Sequence, residues 1–148
     1  MKILIAEDDL VSRKYISKVL SNYGDCDIVI DGLEAVDAYM MSMREKEPYD
    51  LICLDIMMPK IDGVKVLKTI RELEVQEGIT SDNRVKIIMT TALGETDVIQ
   101  TSLDYGCDAY ASKPIDVAKM IDVMKKIGLE VEWIKVISQE KNRLLSVQ

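Results

Sequence analysis

Short apolar runs alternate with longer stretches whose apolar positions recur every three or four residues, and the alternation continues for most of the chain. Runs bounded by turn residues predict buried strands, and the periodic stretches predict amphipathic helices. Residues 2–6 (Lys-Ile-Leu-Ile-Ala) make the first strand. A helix follows over 10–22, with Val11, Tyr15, Ile16, Val19 and Leu20 on one stripe, Asp9 as its N-cap and Gly24 near its stop. The second strand falls at 26–30, and Asp31-Gly32-Leu33-Glu34 has capping-box spacing for a helix running to Met43. Tyr49 to Leu54 reads as the third strand; after a turn at Pro59 and a helix start at Asp62-Gly63, apolar positions from Val64 to Val75 keep helical spacing. A polar connection over 77–83 leads to a fourth strand at 85–90, a helix over 95–105 and a fifth strand over 107–111. The last repeat is a helix over 116–127 with Val117, Met120, Ile121, Met124 and Ile127 inward.

Five β-α repeats therefore fill residues 1–128, which read as one α/β domain built on a parallel sheet covered on both faces. Residues 129–148 fall outside the count. Their apolar members, among them Val131, Ile134 and Leu144, fit a loose helical stripe, so they are expected to form a C-terminal extension, either a frayed appendage or a contact for a partner or a second copy. Met40, Met41 and Met43 are read as core filler.

Composition narrows the chemistry. The chain has no histidine, which removes histidine-based nucleophilic, acid-base and relay mechanisms and leaves Asp, Glu, Lys and Thr to carry a reaction. Cys26, Cys53 and Cys107 are far apart with no Cys-x-x-Cys pair, so they are expected to be reduced core thiols. A net charge of -7 argues against direct nucleic-acid binding and favours proteins or cations as partners. No uncharged run approaches the roughly 18 residues of a membrane span, and the N-terminus turns acidic too early for a signal peptide. A cytoplasmic location is expected.

Ligands of an open parallel sheet bind at the carboxyl ends of its strands, where the strand order reverses. The polar residues that interrupt the apolar pattern cluster at those ends. Glu7 and Asp8 close the first strand, Asp55 the third, and Thr90 and Thr91 the fourth; Lys113 follows the fifth. Converging carboxylates repel one another unless a cation holds them, and magnesium suits a small open site with few carboxylates. A hydroxyl and an ammonium beside them complete the equipment for phosphoryl transfer.

These motifs together resemble a response-regulator receiver domain of two-component signalling, of the kind found in chemotaxis regulators. The resemblance rests on Ile-Leu-Ile-Ala-Glu7-Asp8-Asp9, Leu-Asp55-Ile-Met57-Met-Pro59-Lys-Ile-Asp62-Gly63, Met-Thr90-Thr91-Ala92 and Gly106-Cys-Asp-Ala-Tyr110-Ala-Ser-Lys113-Pro114, in family order over residues 1 to about 127. It implies a flavodoxin-like doubly wound sheet of five strands in order 2-1-3-4-5 with five helices. It makes Asp55 the phospho-acceptor and gives magnesium, with manganese as a substitute, to Glu7 through water, Asp8 and Asp55 directly, and the Met57 carbonyl. Three acids are adjacent, and counting back five from Arg13 assigns Glu7 and Asp8 to the metal and leaves Asp9 as a helix cap. The switch hydroxyl falls on Thr91, the phosphoryl-pairing ammonium on Lys113 before a cis proline, and the rotating aromatic on Tyr110.

The implied function is a phosphorelay switch. A phosphohistidine donor, either a sensor histidine kinase or a phosphotransfer protein, would phosphorylate Asp55 in trans. The fourth-helix, fifth-strand, fifth-helix face would then change for a downstream protein, with a homodimer through that face or the extension as a further partner. The domain would be a phospho-acceptor rather than an enzyme, and it would belong either to a single-domain regulator or to a longer chain. Met57 and Leu93, two residues beyond Asp55 and Thr91, cannot orient an attacking water, which predicts slow self-dephosphorylation. Two other functions fit less of the pattern. An aspartate-nucleophile phosphatase resembling the haloacid-dehalogenase family would want an acid where Met57 stands, and a constitutive protein-binding module would leave the site without a purpose.

Overall fold

The computed structural model describes residues 1–92 and 96–131, so Leu93 and most of the C-terminal extension lie outside the described residues. The element order is β1 (Lys2–Ala6), α1 (Leu10–Leu20), β2 (Asp25–Val29), α2 (Gly32–Arg44), β3 (Leu51–Asp55), α3 (Gly63–Gln76), β4 (Lys86–Thr91), α4 (Thr96–Asp104), β5 (Ala109–Ser112) and α5 (Val117–Lys126). All strand pairings are parallel, in the order β2-β1-β3-β4-β5. β3 is central and wholly buried because its run Leu51-Ile52-Cys53-Leu54 has apolar side chains for both faces.

Two cores result. Leu4, Ile52, Leu54, Ile87 and Met89 point to the face covered by α2 and α3, with Ala35, Tyr39, Val66, Leu67 and Ile70 packed on them. Ile3, Ile5, Leu51, Cys53 and Ile88 point to the other face, under Ile16 and Leu20 of α1 and Met120 and Met124 of α5. Four helices open on an aspartate whose side chain accepts an amide three residues on: Asp9 from Ser12, Asp31 from Glu34, Asp62 from Lys65 and Asp116 from Lys119. Caps of this kind are typically worth about 1 kcal/mol each. The three cysteines are unpaired thiols, with Cys53 and Cys107 buried and Cys26 half-buried.

Several boundaries differ from expectation for physical reasons. β3 begins at Leu51 and ends on Asp55. Tyr49 fills the core below the strand, its hydroxyl donating to Asp27 at 2.7 Å, without joining the ladder. β5 begins at Ala109, because the Asp108 carboxylate turns inward to accept from the Ile87 amide at 2.8 Å. β4 extends through Thr91, which pairs with Ser112. β2 lies one residue earlier than predicted. Val11, Tyr15 and Val117 are exposed despite their helical spacing, since α1 turns Ile16 and Leu20 to the sheet and α5 turns Met120 and Met124. Met41 is exposed as well and fills no core.

At the amino ends of β4 and β5 a buried ionic set ties α3 to the sheet. The Arg71 guanidinium reaches Glu74 Oε1 at 2.6 Å, Asp108 Oδ2 at 3.0 Å and the carbonyls of Gly106 and Val85 at 3.0 and 2.9 Å. Glu74 also accepts the Val85 amide at 2.8 Å, and Arg84 adds a 3.4 Å contact to Asp108. Truncating one partner of such a set strands the other charges in the interior. Arg71→Ala is therefore expected to lower unfolding free energy by about 3 kcal/mol in urea denaturation, a loss well above the usual surface substitution.

Candidate functional site

The order β2-β1-β3 means that the chain leaves β1 to one side and returns on the other, so the carboxyl ends of β1 and β3 flank the crevice of a doubly wound sheet. Glu7 and Asp8 directly follow β1, and Asp55 is the last residue of β3. Carboxylate oxygens of Glu7, Asp8 and Asp55 all lie within 4.8 Å of one another. Arg13 holds the first two residues in place from α1, donating to the carbonyls of Glu7 at 3.2 Å and Asp8 at 3.1 Å. Asp9 turns away: it caps α1 through the Ser12 amide at 2.9 Å, and that bond holds its carboxyl below the usual range.

Lys113, just after β5, reaches across the cluster. Its ammonium lies 2.6 Å from Glu7 Oε1 and 3.2 Å from Asp55 Oδ1. Its bond to Pro114 is cis. The Met57 amide donates to the same Asp55 oxygen at 3.3 Å, while the Met57 side chain points to solvent. Gly63 allows this packing, because a Cβ there would sit 2.1 Å from the Asp55 carbonyl oxygen. Asp62-Gly63 thus starts α3 as expected and also brings that helix onto the end of β3. Thr91 is buried at the end of β4, its hydroxyl donating to the Ala92 carbonyl at 3.1 Å, and its own carbonyl accepts the Lys113 amide at 2.7 Å. Tyr110 of β5 is turned outward, 45% exposed.

The electrostatics follow from burial. Loss of water pushes the Asp55 carboxyl up to about 7, with the neighbouring Glu7 adding to the rise and Lys113 only partly opposing it. Burial alone would lower the Lys113 ammonium, but its hydrogen bond to Glu7 and the charges of Asp55 and Glu7 outweigh that and raise it. Among the described residues, the buried Glu7 Oε2 has no hydrogen-bond partner. An acceptor of that kind inside a ring of carboxylates fits a hard, oxygen-ligated cation, which would take the unmatched charge.

Every site residue expected from the sequence and described here except Tyr110 lies at this one edge of the sheet. Two features escaped sequence reasoning. The Glu7–Lys113 bond joins residues 106 apart and leaves no local signal. An ion pair between Lys60 of the β3–α3 loop and Asp31 at the start of α2 likewise has no pattern in the chain.

Comparison with known proteins bears on the family and the fold. A sequence model of the response regulator receiver domain matches residues 3–125. The sporulation initiation phosphotransferase F of Bacillus subtilis is 32% identical over 126 residues, covering 84% of this chain and 91% of that protein. Hybrid signal transduction histidine kinase I of Dictyostelium discoideum is 35% identical over 124 residues, 83% of this chain but 7% of the kinase. The chain spans only 5–12% of such histidine-kinase relatives. Among solved structures, the complex of CheX and CheY with beryllofluoride and magnesium from Borrelia burgdorferi contains a similar chain, with a TM-score of 0.73, 27% identity, and coverage of 88% of this chain and 90% of that one.

The raised Asp55 carboxyl has a consequence for stability. The unfolded chain ionises this group near its ordinary value of 3.8, whereas the folded chain keeps the proton up to about 7. The folded state therefore binds more protons in that window, and the Asp55 contribution to stability falls as pH rises from about 4 to about 7. Asp55→Asn is expected to remove this slope and to stabilise the metal-free chain above pH 7, by an amount on the order of 1–3 kcal/mol. Urea denaturation in a chelator at pH 5 and pH 8 reads the effect; equal gains at both pH values would overturn it.

Proposed function

The chain belongs to the response regulator receiver family, and from that premise we propose that it is a phosphorylation-controlled switch whose acceptor is Asp55. The observation that carries this reading is one buried carboxylate ending the central strand, with two more within 4.8 Å and an ammonium 3.2 Å away. The similarity to a phosphotransferase and to the receiver-like segments of hybrid histidine kinases supports a phosphohistidine donor in another molecule.

One Asp55 oxygen attacks the phosphorus of the donor, a new O–P bond forms, and the N–P bond breaks with its electron pair left on the donor imidazole. Magnesium, or manganese in its place, held by Glu7, Asp8, Asp55 and the Met57 carbonyl, would supply charge neutralisation for the transferring oxygens. The chain's own residues do the rest. Lys113 exchanges its contact with the Asp55 carboxylate for one to a phosphoryl oxygen, still braced by Glu7. Arg13 keeps the Glu7-Asp8 backbone fixed during the exchange.

Thr91 swings its hydroxyl from the Ala92 carbonyl toward the phosphoryl group, opening room for the Tyr110 ring to turn inward. Tyr110 borders a hollow of about 450 Å³ shared with Pro114, Met120 and Val123, so its rotation would alter the face formed by α4, β5 and α5. A downstream protein, or a second copy of the chain using that face or the extension over 129–148, would read the change. No helix among the described residues is long and apolar enough to cross a membrane, which is compatible with signalling in the cytoplasm beside a kinase.

Incubation with magnesium and a small phosphodonor is expected to add one acid-labile phosphate per chain, absent in Asp55→Asn and formed at least ~100-fold more slowly in Lys113→Ala. Partner binding that is identical with and without phosphate would favour a constitutive module instead. Hydrolysis of the aspartyl-phosphate by water is expected to be slow, because the exposed Met57 side chain cannot hydrogen-bond a water in line with the O–P bond. Met57→Asn should shorten the aspartyl-phosphate lifetime by roughly tenfold; an unchanged decay in a phosphate-release assay would count against this account.

A further inference from the structure

The β3–α3 loop carries Met57, and contacts outside the acidic cluster fix where that loop lies. Lys60 adopts a left-handed backbone with φ of +67°, a conformation that residues with side chains keep only when their surroundings impose it. Its ammonium lies 3.2 Å from Asp31 Oδ2. Asp31 is buried, and its other oxygen, Oδ1, accepts the Glu34 amide at 2.9 Å and so caps α2. Beside this pair the Gly32 amide donates to the Pro59 carbonyl at 3.4 Å. A Cβ on Gly32 would stand 2.0 Å from the Ile61 carbonyl oxygen, so the approach of loop to helix requires glycine. At the loop's far end the Gly63 amide donates to the Ile56 carbonyl at 2.8 Å. The segment between Ile56 and Gly63 is thereby pinned at one end on β3 and at the other on the start of α2.

We propose that Asp31 and Lys60 are positioning residues for the phosphorylation site: their ion pair, beside Gly32, locks the β3–α3 loop so that the Met57 carbonyl is held ready for the cation. The inference rests on the proposed role of that carbonyl as a metal ligand. One oxygen of Asp31 ends a helix and the other reaches the loop, so a single buried carboxylate couples the start of α2 to the metal-binding segment. Neither Asp31 nor Lys60 belongs to the Glu7, Asp8 and Asp55 cluster, and their influence passes through backbone placement.

The sign of the effect separates this from simple electrostatics. Removing a positive charge near an acidic site should tighten cation binding, whereas releasing the loop should weaken it. Titration of the full chain with magnesium chloride by calorimetry, without phosphodonor, is expected to show Lys60→Met binding on the order of fivefold more weakly than wild type, the upper range for one solvent-facing ion pair. Asp31→Asn keeps the helix cap and should weaken binding similarly, and it decides the matter if Lys60→Met fails to fold. Lys60→Arg should restore near wild-type affinity. At saturating magnesium the phosphorylation rate of Lys60→Met should return to the wild-type value. Unchanged or tighter binding in Lys60→Met, or a loss equally large in Lys60→Arg, would overturn the inference while leaving Asp55 as the acceptor. A wild-type chain that takes neither magnesium nor a phosphate on Asp55 would overturn both.

Discussion

Three carboxylates share one edge of the sheet with one ammonium, and the local structure around them is arranged to hold that imbalance. Left to itself the cluster would open or pull in water, because like charges within 4.8 Å repel and two of the three side chains are buried. Arg13 prevents this from α1 by gripping the backbone of Glu7 and Asp8, and Gly63 prevents it from α3 by packing against the Asp55 carbonyl. Lys113 then bridges the two buried acids from the far side of β4. These restraints come from three βα connections, which the parallel pairing brings to a common edge, with β1 and β3 side by side in the order β2-β1-β3-β4-β5.

That arrangement explains what could be read from the chain and what could not. Strands and helices were legible because burial on two faces demands continuous apolar runs and burial on one face demands a 3.6-residue period. Asp9, Asp31, Asp62 and Asp116 were legible as helix starts because capping is a contact within three residues. The acids and Lys113 were legible as a group only through the topology, which carries each strand's last residue to one edge. Contacts that depend on side-chain reach left no such trace. The Asp108 carboxylate, turned in toward Arg71 and Ile87, moved the start of β5, and nothing in the run from Cys107 to Ala111 signals it. Val11 and Tyr15 carry the helical period yet face solvent, because periodicity reports which face of a helix is apolar and not whether the sheet extends beneath it.

Tyr110 marks the boundary between the site and what it controls. It is the one expected site residue among those described that stands away from the acids, half-exposed on β5 three residues before Lys113. Ala109 and Ala111 pack on the core shared with α5, so alternation turns Tyr110 to the other face of β5, while Lys113 just beyond the strand reaches the acids. The Lys113 amide is anchored on the Thr91 carbonyl at 2.7 Å, which ties the segment just after Tyr110 to the end of β4.

The two ends of β4 show opposite solutions to the burial of charge. At its amino end two guanidinium groups, Arg71 and Arg84, face two carboxylates, Glu74 and Asp108; the Val85 amide goes to the second Glu74 oxygen, and the Ile87 amide shares Asp108 Oδ2 with Arg71. That set is satisfied from within and fastens α3 to β4 and β5. At its carboxyl end, among the described residues, three acids face the Lys113 ammonium, one Glu7 oxygen has no partner, and the Asp55 carboxyl rises to about 7. The neutral set gives nothing for a ligand to do; the acidic one can be completed only by charge from outside. The sheet is thus fastened at one edge by a satisfied ionic set and left short of positive charge at the other.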